Sequence, residues 1–145
     1  MELKAFKPDH LDMFDWNDHD KAVYSIDSQF TRAINSMTHG ETFSAFHEGR
    51  LLVIGGAVPF SKKTAYAFSI FSKWAKLYPL TSARIVRRMF QTVIKTHGYH
   101  RLVTVNPVTG EDHNDWCHWL GFQKEAILRK YDDAGNDYVQ YGYVT

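Results

Sequence analysis

One segment does more than any other to limit the folds open to this chain. Between Pro79-Leu80-Thr81-Ser82 and Gly98, the residues Ile85, Val86, Met89, Phe90, Val93, Ile94 and His97 share one helical face. Arg84, Arg87, Arg88, Gln91 and Lys95 share the other. Proline opens such a helix and glycine stops it. Runs of strand composition bracket it, Ala65–Phe71 before and Arg101–Asn106 after, the second ended by Pro107. A strand, a helix and a strand in that order make a crossover connection, so both strands belong to one sheet that the helix covers.

The other connections read as hairpins and helices. Thr42–His47 and Arg50–Ala57 flank Glu48-Gly49, a compact turn signal, and Phe122–Tyr131 and Asp137–Val144 flank Asp132-Asp133-Ala134-Gly135-Asn136. A short strand is expected over Leu3–Phe6 and a helix over Asp9–Trp16. A second helix is expected over Asp20–Met37, where Val23, Ile26, Phe30, Ala33, Ile34 and Met37 recur at intervals of three and four. Glu111–Leu120 reads as a helix with Trp116, Trp119 and Leu120 on its apolar side and Gly121 as its cap. The order is β-α-α-β-β-β-α-β-α-β-β, an α+β fold whose mostly antiparallel central sheet carries helices on both faces. The 145 residues, with no linker or repeat, read as a single domain over 1–145.

Composition removes several function classes. Lys and Arg total 17 against 16 acidic residues, and that balance argues against a nucleic-acid binder. The longest apolar stretch, Leu51–Phe60, holds two glycines and a proline and is half the length of a membrane span. The N-terminus lacks a signal-peptide core, so a protein that remains inside the cell is expected. One cysteine excludes a disulfide within the chain. The eight histidines show no zincin-type pairing; His113 and His118 are five apart, and surface positions without a metal are expected.

This element order, over essentially the whole chain, resembles the GNAT N-acyltransferase fold. Glu48–Gly56 looks like the turn and strand that precede the cofactor strand in that fold. Trp116-Cys117-His118-Trp119-Leu120-Gly121-Phe122 looks like its helix running into Leu-Gly-Phe. The stretch from Trp74 through Tyr99 to Trp116–Phe122 is similar to the GNAT-like internal virion protein A family of podophages. There an aromatic follows the fourth strand, a basic helix replaces the usual phosphate loop, and a Trp-rich helix leads into Gly-Phe.

The resemblance implies that acyl-CoA, with acetyl-CoA as the cofactor, lies between splayed fourth and fifth strands. The fourth-strand edge at Ile70, Phe71 and Ser72 would meet the pantetheine amides. The helix start at Thr81, Ser82, Ala83 and Arg84 would hold the pyrophosphate, where unpaired N–H groups favour an anion. Asn106 would reach the cofactor or acceptor amide. Cys117 stands where many members of the fold place a tyrosine acid; it reads equally as a small buried apolar residue between two tryptophans. The chain departs from the fold's pattern in having no glycine between Lys73 and Ala83 and no carboxylate on the fourth strand.

Two functions stay open. One is an acyl-CoA-dependent N-acyltransferase. The other is a non-catalytic phage protein, located in the virion or the host cytoplasm. It would act in virion morphogenesis or bind a phage or host protein, using the aromatic and basic rim around Trp74 and Arg84 as an interface.

Overall fold

The computed structural model describes residues 2–18 and 41–145, apart from the side chains of Glu111 and Asp112. The helix expected over Asp20–Met37 lies outside the described residues.

The elements run β1 (Glu2–Ala5), α1 (Asp9–Asp12), β2 (Glu41–His47), β3 (Arg50–Pro59) and β4 (Thr64–Phe71). A 3-10 turn (Lys73–Leu77) leads to α2 (Pro79–His97), β5 (Arg101–Pro107), α3 (Glu111–Trp119), β6 (Gln123–Leu128) and β7 (Tyr138–Val144). Among the described residues, seven strands form one sheet in the order β1-β2-β3-β4-β5-β7-β6. Only β4 and β5, joined by the α2 crossover, are parallel; each other neighbouring pair is antiparallel.

Side-chain alternation along β4 divides the core. Ala65 and Ala67 point to the face covered by α2 and α3, where they meet Val86, Met89, Val93, Cys117 and Phe122. Phe68 and Ile70 point to the opposite face, packing with Ile54, Leu51 and Phe14. Gly55 and Gly56 in β3 are required by close approach. A Cβ on Gly55 would lie 3.1 Å from the Met89 sulfur of α2, and one on Gly56 would lie 2.0 Å from the Glu41 carbonyl oxygen. The helix α2 ends on Gly98 at φ 64°, whose N–H donates to the Ile94 carbonyl.

The first helix is shorter than its sequence suggests. It stops at Asp12, and Trp16 forms an antiparallel bridge with Ser72, just past β4. The backbone there bonds the sheet instead of itself: Lys73 N–H donates to the Asp15 carbonyl at 2.8 Å. Among the described residues, no helix is long and apolar enough to cross a membrane.

Candidate functional site

The parallel contact between β4 and β5 is brief. Thr64, Ala65 and Tyr66 pair with Arg101, Leu102 and Val103, and beyond that the register ends although both strands continue. A wedge therefore opens between Ala67–Phe71 and Thr104–Pro107.

Ladder alternation decides which backbone groups face it. Ser72 N–H donates to the Leu52 carbonyl at 2.8 Å, so Ser72, Ile70 and Phe68 turn their polar groups toward β3. Ser69 and Phe71 turn theirs toward the wedge. On β5, Val108 N–H donates to Asp137 and Thr145 N–H donates to His100, so even-numbered residues serve β7. Val105 consequently faces the wedge from the other side. Of the three edge positions that the resemblance implies, Phe71 presents its backbone to the wedge. Ile70 and Ser72 do not, because a one-residue step along a strand reverses the direction of both N–H and C=O. Ser69 takes their place.

The turn between β4 and α2 is closed on itself. Ser72 is its N-cap: its Oγ accepts from Trp74 N–H at 3.3 Å, and its carbonyl accepts from Ala75 N–H at 3.1 Å. Tyr78 N–H donates to the Ala75 carbonyl, and Ser82 N–H opens the helical ladder by donating to the Tyr78 carbonyl at 2.9 Å. Pro79 has no N–H, so Leu80 and Thr81 are the first-turn donors with no place in the helix ladder. Of the four residues expected at an anion site, Thr81 supplies such a donor. Ser82 is fully buried, its Oγ donating to the Ala75 carbonyl at 3.3 Å, and Ala83 and Arg84 are inside the ladder. Arg84 keeps an exposed guanidinium at the same end of the helix.

The basic and aromatic rim is interlocked. The Arg50 guanidinium lies 4.1 Å and the Lys73 ammonium 4.7 Å from the Trp74 ring centre, while Trp74 Nε1 donates to Asp15 Oδ2 at 2.8 Å. Tyr78 donates its hydroxyl to Glu48 Oε2 at 2.9 Å, and the bond to that carboxylate holds the phenol above its ordinary pKa. Arg87 is engaged elsewhere, stacked 3.9 Å over Trp119.

Helix α3 brings the remaining candidates together. Asn106 Nδ2 donates to Cys117 Sγ at 3.1 Å, joining the two residues nominated separately from the sequence. Cys117 is buried, and burial pushes its thiol up to about 11, against the opposing pull of the Asn106 amide. At neutral pH it is a protonated thiol. Tyr141 of β7 is also buried, and burial, with Cys117 and Asp115 nearby, raises its phenol above the ordinary value.

Two neighbours of this pair escaped the sequence reading. His113 is half-buried instead of on the surface, its ring 6.1 Å edge-on from Phe71, and Trp116 meets the same ring at 4.7 Å. The signal was present: positions 113, 116 and 117 fall on one helical face, a spacing obscured by comparing His113 with His118. Tyr141 had no local motif; only the sheet places β7 under α3.

No protein-family sequence profile and no curated protein sequence matches the chain. Solved structures do match, over nearly its whole length. Ard1 from Thermoplasma volcanium superposes with a TM-score of 0.76 at 12% identity, covering 99% of this chain and 97% of that one. A ribosomal-protein-alanine N-acetyltransferase from Brucella melitensis gives 0.73 at 11% identity, with all of both chains covered. A GNAT family acetyltransferase from Elizabethkingia anophelis, solved with acetyl-CoA bound, gives 0.66 at 11% identity over 99% of this chain and 97% of that one. The chain has the GNAT acetyltransferase fold. The likeness at these identities is to the fold, and the narrower kinship with podophage proteins gains no support from it.

Proposed function

We propose that this chain binds a CoA thioester in the wedge between β4 and β5 and transfers its acyl group to an amine. The observation that carries this reading is the splay after Tyr66, which leaves the Ser69 and Val105 backbones facing a gap between two strands. An amide-bearing arm fits such a gap because it can complete the missing ladder on both sides. The anion end fits less generously. Two first-turn N–H groups, at Leu80 and Thr81, and the Arg84 guanidinium are what the helix start offers a pyrophosphate.

When bound, acetyl-CoA supplies an activated acyl carbonyl. The chain's own residues then have separable tasks. A wedge-facing N–H would polarise the carbonyl oxygen and stabilise charge developing there. His113, on the α3 face that packs against Phe71, would receive the proton of the attacking amine. Cys117, protonated at neutral pH and held by Asn106, would give its proton to the departing sulfur and take back, by way of water, the one held by His113, with Tyr141 as the neighbouring phenol. Positioning between two rigid strands supplies much of the rate.

A second reading is favoured by one specific feature. The turn over Lys73–Leu77 bonds its own N–H groups, and its aromatic rim is tied to Asp15 and Glu48. A chain that had given up catalysis would look like this. In that reading it is a non-catalytic phage protein that uses the same rim on a phage or host partner. Calorimetric titration with acetyl-CoA separates the two, followed by mass spectrometry of spermidine and of an alanine-initiated peptide incubated with acetyl-CoA. Those acceptors reflect the spermidine and ribosomal-protein-alanine acetyltransferases that share the fold. Saturable binding and a mass gain of one acetyl group support the enzyme. Absence of binding at high micromolar protein removes it.

A further inference from the structure

The wedge is not open along its whole length, because the chain lays one of its own segments into it. Phe71 and Lys73 have the same ladder parity as Ser69, so their backbone groups point away from β3 and toward the gap. Those groups are met by Asp15, Trp16 and Asn17. Lys73 N–H donates to the Asp15 carbonyl at 2.8 Å, and Asn17 Nδ2 donates to the Phe71 carbonyl at 2.6 Å. Trp16 lies opposite Ser72 in an antiparallel bridge. The segment is fastened at both sides: Trp74 Nε1 donates to Asp15 Oδ2 at 2.8 Å, and the Trp16 ring stands edge-on 5.2 Å from the buried Phe14.

We infer that Asp15–Asn17 is an intramolecular strap that occupies the mouth of the wedge and is displaced when an amide-bearing ligand arm adds along β4. The inference rests on the reading of the wedge as a CoA site. A strand-like ligand entering from the α2 end needs the Phe71 carbonyl and the Lys73 N–H, and the strap holds both. Binding then includes the cost of breaking those bonds, so apparent affinity falls by the fraction of molecules with the strap released. The strap also protects a strand edge that would otherwise offer itself to another chain.

Two perturbations move the strap in opposite directions without altering the opposite wall of the wedge. The double substitution Asp15→Ala with Asn17→Ala deletes two of its side-chain hydrogen bonds. At about 0.5 kcal/mol each, the low end for such bonds, CoA should bind roughly fivefold tighter than to the wild type. Trp16→Cys with Ser72→Cys staples it. The bonds on either side of the Trp16–Ser72 bridge make this a non-hydrogen-bonded pair, whose Cα atoms lie about 4.5 Å apart, within disulfide reach. The oxidised staple should bind CoA at least tenfold more weakly than the same protein after reduction.

Titration with CoA alone reads all four forms, and circular dichroism confirms that each is folded. Tighter binding by the double alanine protein, together with redox-dependent binding by the staple, supports the strap. CoA binding of equal strength to the oxidised and reduced staple overturns the strap and leaves the CoA site standing. Absence of CoA binding in every form, including the double alanine and reduced proteins, overturns the CoA site and the strap with it.

Discussion

Replacing Ser69 and Ile70 by proline, one at a time, asks the sheet which neighbour each backbone serves. Proline removes an N–H and is accepted in strands where that group faces away from a ladder. Ile70 stands opposite Ile54 with the parity of the bonded Ser72–Leu52 pair, so its N–H lies in the β3 ladder. Removing it leaves a buried acceptor unpaired on β3, a cost of about 1–3 kcal/mol before any strain from the ring. Ser69 stands opposite Gly55, with its N–H toward the wedge and no side chain across from it on β3. Its proline variant should lose less than about 1 kcal/mol of stability. Alanine at each site removes the side-chain contribution, which is large for Ile70 because that side chain is fully buried. The quantity to compare is therefore proline minus alanine at each position, from urea unfolding at neutral pH. A backbone cost at least 1 kcal/mol larger at position 70 is expected. Equal costs would refute the assignment of the Ser69 backbone to the gap. Ser69→Pro should also weaken CoA binding about two- to tenfold, the equivalent of one hydrogen bond.

Other residues give independent checks. His113→Gln should lower kcat for acyl transfer about a hundredfold with little change in KM for acetyl-CoA. An unchanged kcat would remove His113 as the base. Cys117 titrates near 11 against an ordinary 9.0, so at pH 8 it should react with a disulfide reagent about a hundredfold more slowly than an exposed thiol. Unfolding should restore the ordinary rate. Gly56→Ala should cost roughly 3 kcal/mol in a melt, since the new methyl meets the Glu41 carbonyl of the neighbouring strand. Burial raises the Asp132 carboxyl, but hydrogen bonds from Asn136, Tyr138 and Ala134 outweigh it and hold the group below its ordinary 3.8. Its contribution to stability is present above that value and fades as pH falls through the lower folded one. Asp132→Asn should therefore melt earlier at pH 7, and the difference should shrink in acid; a gap independent of pH would contradict this.

Much of the frame was legible because side-chain periodicity reports burial. The α2 stripe from Ile85 to Val93, the hairpin at Glu48-Gly49 and the crossover from β4 to β5 all follow from which residues must be hidden. Backbone direction does not leave that kind of trace. Ile70, Phe71 and Ser72 read alike as strand residues, and only the register against β3 shows that Phe71 alone of the three faces the gap. The helix expected to reach Trp16 failed for a related reason: Asp15 and Asn17 find hydrogen-bond partners on β4, far away in sequence. Asn106 and Cys117 were each singled out by the resemblance, one at the end of the fifth strand and the other at the position where the fold often places a tyrosine. Their pairing needed the fold to bring β5 under α3, and so did the approach of His113 to Phe71. The absence of glycine between Lys73 and Ala83 was plain in the sequence, but the self-bonded 3-10 turn over Lys73–Leu77 was not.

Residue-resolved amide hydrogen exchange at Ser69 and Val105, recorded with and without CoA, addresses the wedge most directly. Both amides should exchange fast in the free protein, while Ile70 and Asn106 beside them stay slow, and CoA should slow the first pair. Protection of Ser69 and Val105 equal to that of their neighbours in the free protein, or exchange indifferent to CoA, would contradict it.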